Sequence, residues 1–172
     1  GVDKRAKKLG LIPRDSTHIQ NTLVENKIIR PVVIDRKKLF ELTEQGEKII
    51  AELGLKIKKH KNQGIAHRYY IEKIKQLLEK KGWTVFKEKS DIDLVAQMDN
   101  KTAAIEIETG KNKTDQIEKN MGKLAQFPVA DKFILSTNDN ANIKIKNLIS
   151  KMGFSASLHL YPIKEFSKNP PI

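Results

Sequence analysis

The sequence predicts an α/β protein of the α+β kind: a mixed sheet flanked by helices, with a small helical and hairpin domain ahead of it. Three observations carry this expectation. From Gly64 onward, segments with helical spacing alternate with short strand-like runs. Runs such as Phe133-Ile134-Leu135 are apolar throughout, as strands covered on both faces are. Residues 55–63, LKIKKHKNQ, carry four lysines and a histidine with little apolar content, so they read as a linker between domains 1–54 and 64–172.

Composition supports a globular chain. Of 172 residues 38% are hydrophobic, enough to bury a core in one large or two small domains. No apolar run approaches the ~18 residues of a membrane span, and no signal-peptide pattern is present, so a cytoplasmic protein with no membrane partner is expected. The absence of cysteine excludes disulfides, thiolate chemistry and Cys-ligated zinc. Any metal must then be held by oxygen or imidazole donors, which favours Mg²⁺ or Mn²⁺. The chain begins at Gly1 rather than Met, which reads as a terminal scar on a piece of a longer protein.

The net charge of +12 points to a polyanionic partner, because neutralising phosphates releases condensed counterions. Both halves are basic: residues 1–62 hold 15 Lys/Arg against 8 Asp/Glu, and residues 63–172 hold 18 against 13. A lysine-rich surface of the kind common in thermophilic proteins is the competing explanation.

Residues 1–54 read as helix, helix, hairpin, helix, with residues 1–10 left for the first helix. Asp15 or Ser16 is expected to cap a helix with Ile19, Leu23 and Val24 inward and Thr17, His18, Gln20 and Asn21 outward. Runs 28–34 and 39–42 flank the basic turn Asp35-Arg36-Lys37-Lys38. Thr43 precedes a last helix with Ile49, Ile50 and Leu53 on its apolar side, stopped at Gly54. This order resembles the second half of a winged-helix domain, which implies DNA contact through the outward helix face and through Arg36, Lys37 and Lys38 of the wing. A packing or dimerisation module, giving a homodimer, is the other role such a fold takes.

Beyond the linker the spacing predicts helix 65–81, strands 83–88, 92–97 and 103–108, helix 114–127, strand 132–137, helix 141–152 and strand 156–161. Two strands carry acids in unusual places: Asp93 in Ser90-Asp91-Ile92-Asp93-Leu94-Val95-Ala96, and Glu106 and Glu108 in Ala104-Ile105-Glu106-Ile107-Glu108. Strand alternation puts Glu106 and Glu108 on one face. Carboxylates beside an apolar layer are costly unless paired or metal-bound, so a cation site is one reading. An ordinary sheet with one wet face is the other.

The arrangement resembles the PD-(D/E)XK superfamily, which includes Holliday-junction resolvases and RecB-like nucleases, over about residues 64–137. Its αβββαβ order matches, its first acid falls on Asp93, and its second falls on Glu106 after 12 intervening residues. The third motif position is Glu108, where the family has a lysine that positions water and stabilises developing negative charge. Lys111 and Lys113 lie just past the strand and are the substitutes the resemblance implies. The segment Gly64-Ile65-Ala66-His67 looks like a RecB-like first motif, which would add His67 to the metal ligands Asp93 and Glu106. A partly exposed helix histidine is its plainer role. Glu72, ahead of Gly82-Trp83, is a resolvase-like alternative that the helical wheel turns toward solvent. Gln116 resembles the glutamine of the RecB-like final motif or is a plain first-turn residue. On the same helix Lys119 and Lys123, at i and i+4, would follow a phosphate backbone.

The function expected is metal-dependent hydrolysis of DNA phosphodiesters. A catalytically weakened DNA-binding module serving a larger ATPase or translocase stands beside it, since the chain has no GxxxxGK[ST] loop of its own. A winged-helix transcription regulator is the third reading, and it leaves the three acids without a purpose.

Overall fold

The structure is a computed structural model that describes residue 10 and residues 12–55 and 64–172. The first helix expected within residues 1–10 and nearly all of the linker therefore lie outside the described residues. The chain divides into two compact units, Gly1–Ile65 and Ala66–Ile172.

In the first unit, helix α1 (Pro13–Glu25) leads to strands β1 (Ile29–Ile34) and β2 (Lys37–Leu42) and then helix α2 (Glu44–Glu52). Neither Asp15 nor Ser16 caps α1. The helix starts at Pro13 after an extended Ile12, with no side-chain cap. Proline suits this position because its fixed φ is already helical and its missing N–H has no partner to lose. Asp15 lies in the first turn, where the helix dipole favours an acid, and Ser16 is buried. The hairpin turn is also shorter than expected. Only Asp35 and Arg36 turn, with φ of 48° and 61°, as a two-residue type I′ connection needs. Lys37 and Lys38 belong to β2, opposite Ile34 and Val33.

Helix α2 begins as its sequence predicts. Thr43 is the N-cap, accepting from the Gly46 N–H, while its hydroxyl donates to the carbonyl of Ile28 at 3.2 Å. A Cβ on Gly46 would overlap that same carbonyl oxygen, so only glycine lets the helix approach the start of β1 this closely. Leu53 falls at the C-cap and is exposed rather than packed.

The second unit runs α3 (Ile65–Lys80), β3 (Thr84–Lys89), β4 (Ile92–Met98), β5 (Lys101–Glu108), α4 (Thr114–Gln126), β6 (Asp131–Ser136), α5 (Asp139–Lys151), β7 (His159–Pro162) and α6 (Ile163–Lys168). Its five strands form one mixed sheet in the order β3-β4-β5-β6-β7. The short turns make β3, β4 and β5 antiparallel, whereas the crossovers through α4 and α5 make β5, β6 and β7 parallel. Val95, Ala104 and Ile134 pack with Ile117, Met121 and Leu124 of α4 and with Ile145, Leu148 and Ile149 of α5. On the other face Phe133 meets Phe166 of α6 edge to face, with ring centroids 5.7 Å apart. Among the described residues no helix is long and apolar enough to cross a membrane.

Candidate acidic active site

The three acids continue the apolar row of the sheet face that α4 and α5 cover. The β4–β5 ladder pairs Val95 with Ala104 and Leu94 with Ile105, so one step further Asp93 faces Glu106, with Glu108 two residues beyond on the same side. Relative exposures of 9% for Asp93, 4% for Glu106 and 1% for Glu108 overturn the wet-face reading: these carboxyls stand inside the protein.

Local backbone explains how Asp93 enters. On its β3 side the ladder pairs Lys87 with Leu94 and Lys89 with Ile92, and Glu88 between them is left-handed, with φ of 53°. On its β5 side the Asp93 carboxylate takes the Ile107 N–H, Oδ2 lying 2.8 Å away. The side chain thus satisfies a buried backbone donor where β4 and β5 part.

The same oxygen lies 3.0 Å from Nε2 of His67, in the first turn of α3. Burial pulls the His67 pKa down, but hydrogen bonding to Asp93 and the charges of Asp93 and Glu108 outweigh it and hold the imidazole above its ordinary value. Its Nδ1 is buried without a hydrogen-bond partner among the described residues. Burial, first of all, and then the neighbouring Asp93 and Glu108 carboxyls push the Glu106 pKa well above its ordinary value. Glu108 is also raised, chiefly by burial and against the hydrogen bonds that its oxygens accept. Asn120 of α4 donates to Oε1 at 3.1 Å and Asn112 to Oε2 at 2.9 Å.

The other expected site residues fall into two groups. Gln116 is tied to the cluster indirectly, donating to Asn120 Oδ1 at 2.8 Å. Lys111 and Lys113 are exposed, and among the described residues neither makes a hydrogen bond or ion pair to Glu108. Lys123 pairs with Asp91 at 3.2 Å, while Lys119 is exposed on the same helix. Glu72 stands apart, hydrogen-bonded to Gln76 and paired with Lys87, and these hold its pKa below the usual value. In the first unit Thr17, His18, Asn21, Arg36, Lys37 and Lys38 are exposed, and Gln20 is half-buried. Lys38 lies over the Phe40 ring, 5.5 Å from its centroid.

Asn112 and Asn120 are the site residues that sequence reasoning missed. Asn120 did carry a signal, since it sits three residues after Ile117 and four before Leu124, on the edge of the buried stripe.

No protein-family model matches the chain, and neither does any curated protein.

The donor set is chemically suited to a hard divalent cation, being three carboxyls and an imidazole with no thiolate. The raised pKa of Glu106, due first to burial and then to the neighbouring acids, marks a place where a second negative charge is costly. Among the described residues, however, no group of three or more such side chains is arranged as a ready coordination shell. His67 stands beside Asp93, with Nε2 3.0 Å from Oδ2.

Proposed function

We propose that the second unit is the nuclease-like part of a DNA-processing protein and hydrolyses phosphodiesters with Mg²⁺ or Mn²⁺. The observation that carries this reading is the burial of Asp93 and Glu106 on the neighbouring strands β4 and β5, with Glu108 buried beside them. Such a group is expensive in a stable fold unless it serves a cation or a reaction. Asp93 and Glu106 would hold the ion, with His67 or Glu108 adding a ligand. A divalent ion bound there supplies an activated water and offsets charge on the scissile phosphate. Within the chain, Asn112 and Asn120 orient Glu108, and the Asp93 carboxylate holds the His67 ring in place, 3.0 Å from its Nε2. Lys111 and Lys113, exposed at the end of the β5–α4 loop, are placed to meet a phosphate backbone.

The first unit fits a winged-helix-like DNA-binding module. Its support is the helix α1 with an outward polar face and the two-residue turn that presents Arg36, followed by Lys37 and Lys38. The whole chain would then grip DNA through its basic surface while the acidic cluster acts on one strand.

A second reading has a specific observation behind it. Position 108 is a glutamate held by two amides, and among the described residues no lysine is bonded to it, which favours a weakened catalytic domain that binds DNA for a larger translocating machine. Incubating the purified chain with duplex, single-stranded and branched DNA in Mg²⁺ or Mn²⁺ separates the two. Cleavage that Asp93→Ala removes supports the nuclease. Salt-sensitive binding with no cleavage of any substrate leaves the binding module.

A further inference from the structure

We propose that Lys144, on α5, is a positioning residue for the acidic cluster and acts through Asn112 on Glu108. This inference rests on the phosphodiester reading above. The Lys144 ammonium donates to the Asn112 carbonyl oxygen at 3.1 Å, and the Asn112 side-chain amide donates in turn to Glu108 Oε2 at 2.9 Å. A residue far along the chain is therefore linked to the third acid by two consecutive hydrogen bonds.

The rest of the loop between β5 and α4 shows why such a link is needed. At its start, the Asn138 amide donates to the Thr109 carbonyl at 3.0 Å, and the Thr137 N–H donates to the Glu108 carbonyl at 3.1 Å. Gly110, with φ of +79°, packs so near α5 that an added Cβ would lie 3.4 Å from the Ala141 Cβ. These contacts fasten the loop's beginning to the N-terminus of α5. Past Gly110, it is the Lys144 bond that carries the attachment as far as Asn112. Lys144 is half-buried, and an ionised donor makes a stronger hydrogen bond to a carbonyl than a neutral one does. With the Asn112 backbone held, its amide faces Oε2 while Asn120 holds Oε1, and the Glu108 carboxyl has one orientation. Without the ammonium, Asn112 can swing away and Glu108 loses one of its two restraints.

The test uses the full chain in three variants. Lys144→Met keeps the aliphatic stem and removes the charge, Lys144→Arg restores a charged donor, and Lys146→Met is a control at an exposed position of the same helix. The Asn112 side-chain amide is followed by ¹⁵N NMR without metal or DNA. Turnover on duplex DNA with Mn²⁺ is measured alongside it, and Mn²⁺ binding by calorimetry. In Lys144→Met the Asn112 amide should lose its hydrogen-exchange protection, and kcat should fall by about tenfold at an unchanged KM, the size typical of groups that orient a catalytic centre. Lys144→Arg should recover most of both, and Lys146→Met should match wild type. Asn112→Ala, which cuts the link without touching α5, should reproduce the kcat loss. Unchanged Asn112 signals in Lys144→Met overturn the proposal, as does a kcat loss that Arg does not rescue and that follows a lowered unfolding midpoint. If wild type neither binds Mn²⁺ nor cuts DNA, the phosphodiester reading falls, and the Asn112 signals alone decide the Lys144 link.

Discussion

His67 Nε2 stands 3.0 Å from Asp93 Oδ2, the oxygen that also accepts the Ile107 N–H at 2.8 Å. One carboxylate therefore serves an imidazole and a buried backbone donor, beside Glu106, whose pKa burial and the neighbouring acids raise well above its ordinary value. Small changes in protonation or charge at this point should have large effects.

Stability should fall as pH rises when no divalent ion is present. The native pKa values of Glu106 and His67 lie above the ordinary 4.5 and 6.5, so the native chain keeps protons that the unfolded chain releases. The Glu106 contribution is complete below its unfolded pKa and is lost as pH climbs through the native one. The same holds for His67 in a higher window that opens at its unfolded value. Urea unfolding followed from about pH 5 to pH 9 should show a declining midpoint. Glu106→Gln should flatten the lower part of the decline and His67→Gln the upper part. A midpoint that climbs steadily with pH would contradict both assignments.

On the phosphodiester reading, Asp93→Ala should abolish Mg²⁺- or Mn²⁺-dependent cleavage, since it would remove a ligand that positions the ion and its water. Binding should persist. On the same reading, removing negative charge beside the proposed phosphate path should leave metal-free DNA affinity the same or slightly higher. Loss of cleavage and binding together would instead indicate a damaged fold, which a thermal melt of the variant reveals.

Gly46→Ala should destabilise the first unit by about 1–3 kcal/mol, because the new methyl meets the backbone oxygen of Ile28 and no side chain can move aside for it. Hydrogen exchange on the full chain is the appropriate measurement. Amides of α2 should lose protection while those of β4 and β5 are unaffected. Equal protection across α2 in both proteins would show that the close approach is not a constraint.

Arg36→Gly should have opposite effects on stability and on DNA affinity. Glycine accepts the left-handed backbone at Arg36, with φ of 61°, and should stabilise the hairpin by about 1 kcal/mol. Under the winged-helix-like reading it also removes one phosphate contact, so duplex affinity drops and the log-log salt slope shrinks by about one unit. Unaltered affinity and slope would take the hairpin off the DNA.

Much of the architecture was legible in the sequence because it depends on neighbours along the chain. Thr43 caps α2 through the Gly46 N–H three residues on, and the alternation of Glu106 and Glu108 assigns them to one face without any tertiary information. Where local signals competed, the reading slipped. Asp15 and Ser16 look like caps, yet Pro13 two residues earlier starts the helix, and the basic run at 35–38 hid a turn of only two residues.

The order of helices and strands from Ile65 to Pro162, the basic composition and the chemical types of the three acids were thus determined by the sequence itself, through spacing and composition, whereas the closing helix α6 (Ile163–Lys168) was not read from it. Tertiary structure alone decided that Asp93, Glu106 and Glu108 are buried, that His67 reaches Asp93, and that Asn112, Asn120 and Lys144 attend Glu108. Periodicity says which side of a strand a residue takes but not what will cover that side. Here the cover is α4 and α5, brought over the sheet by parallel crossovers, and their packing turns a row of acids that spacing allows to be wet into a desolvated cluster.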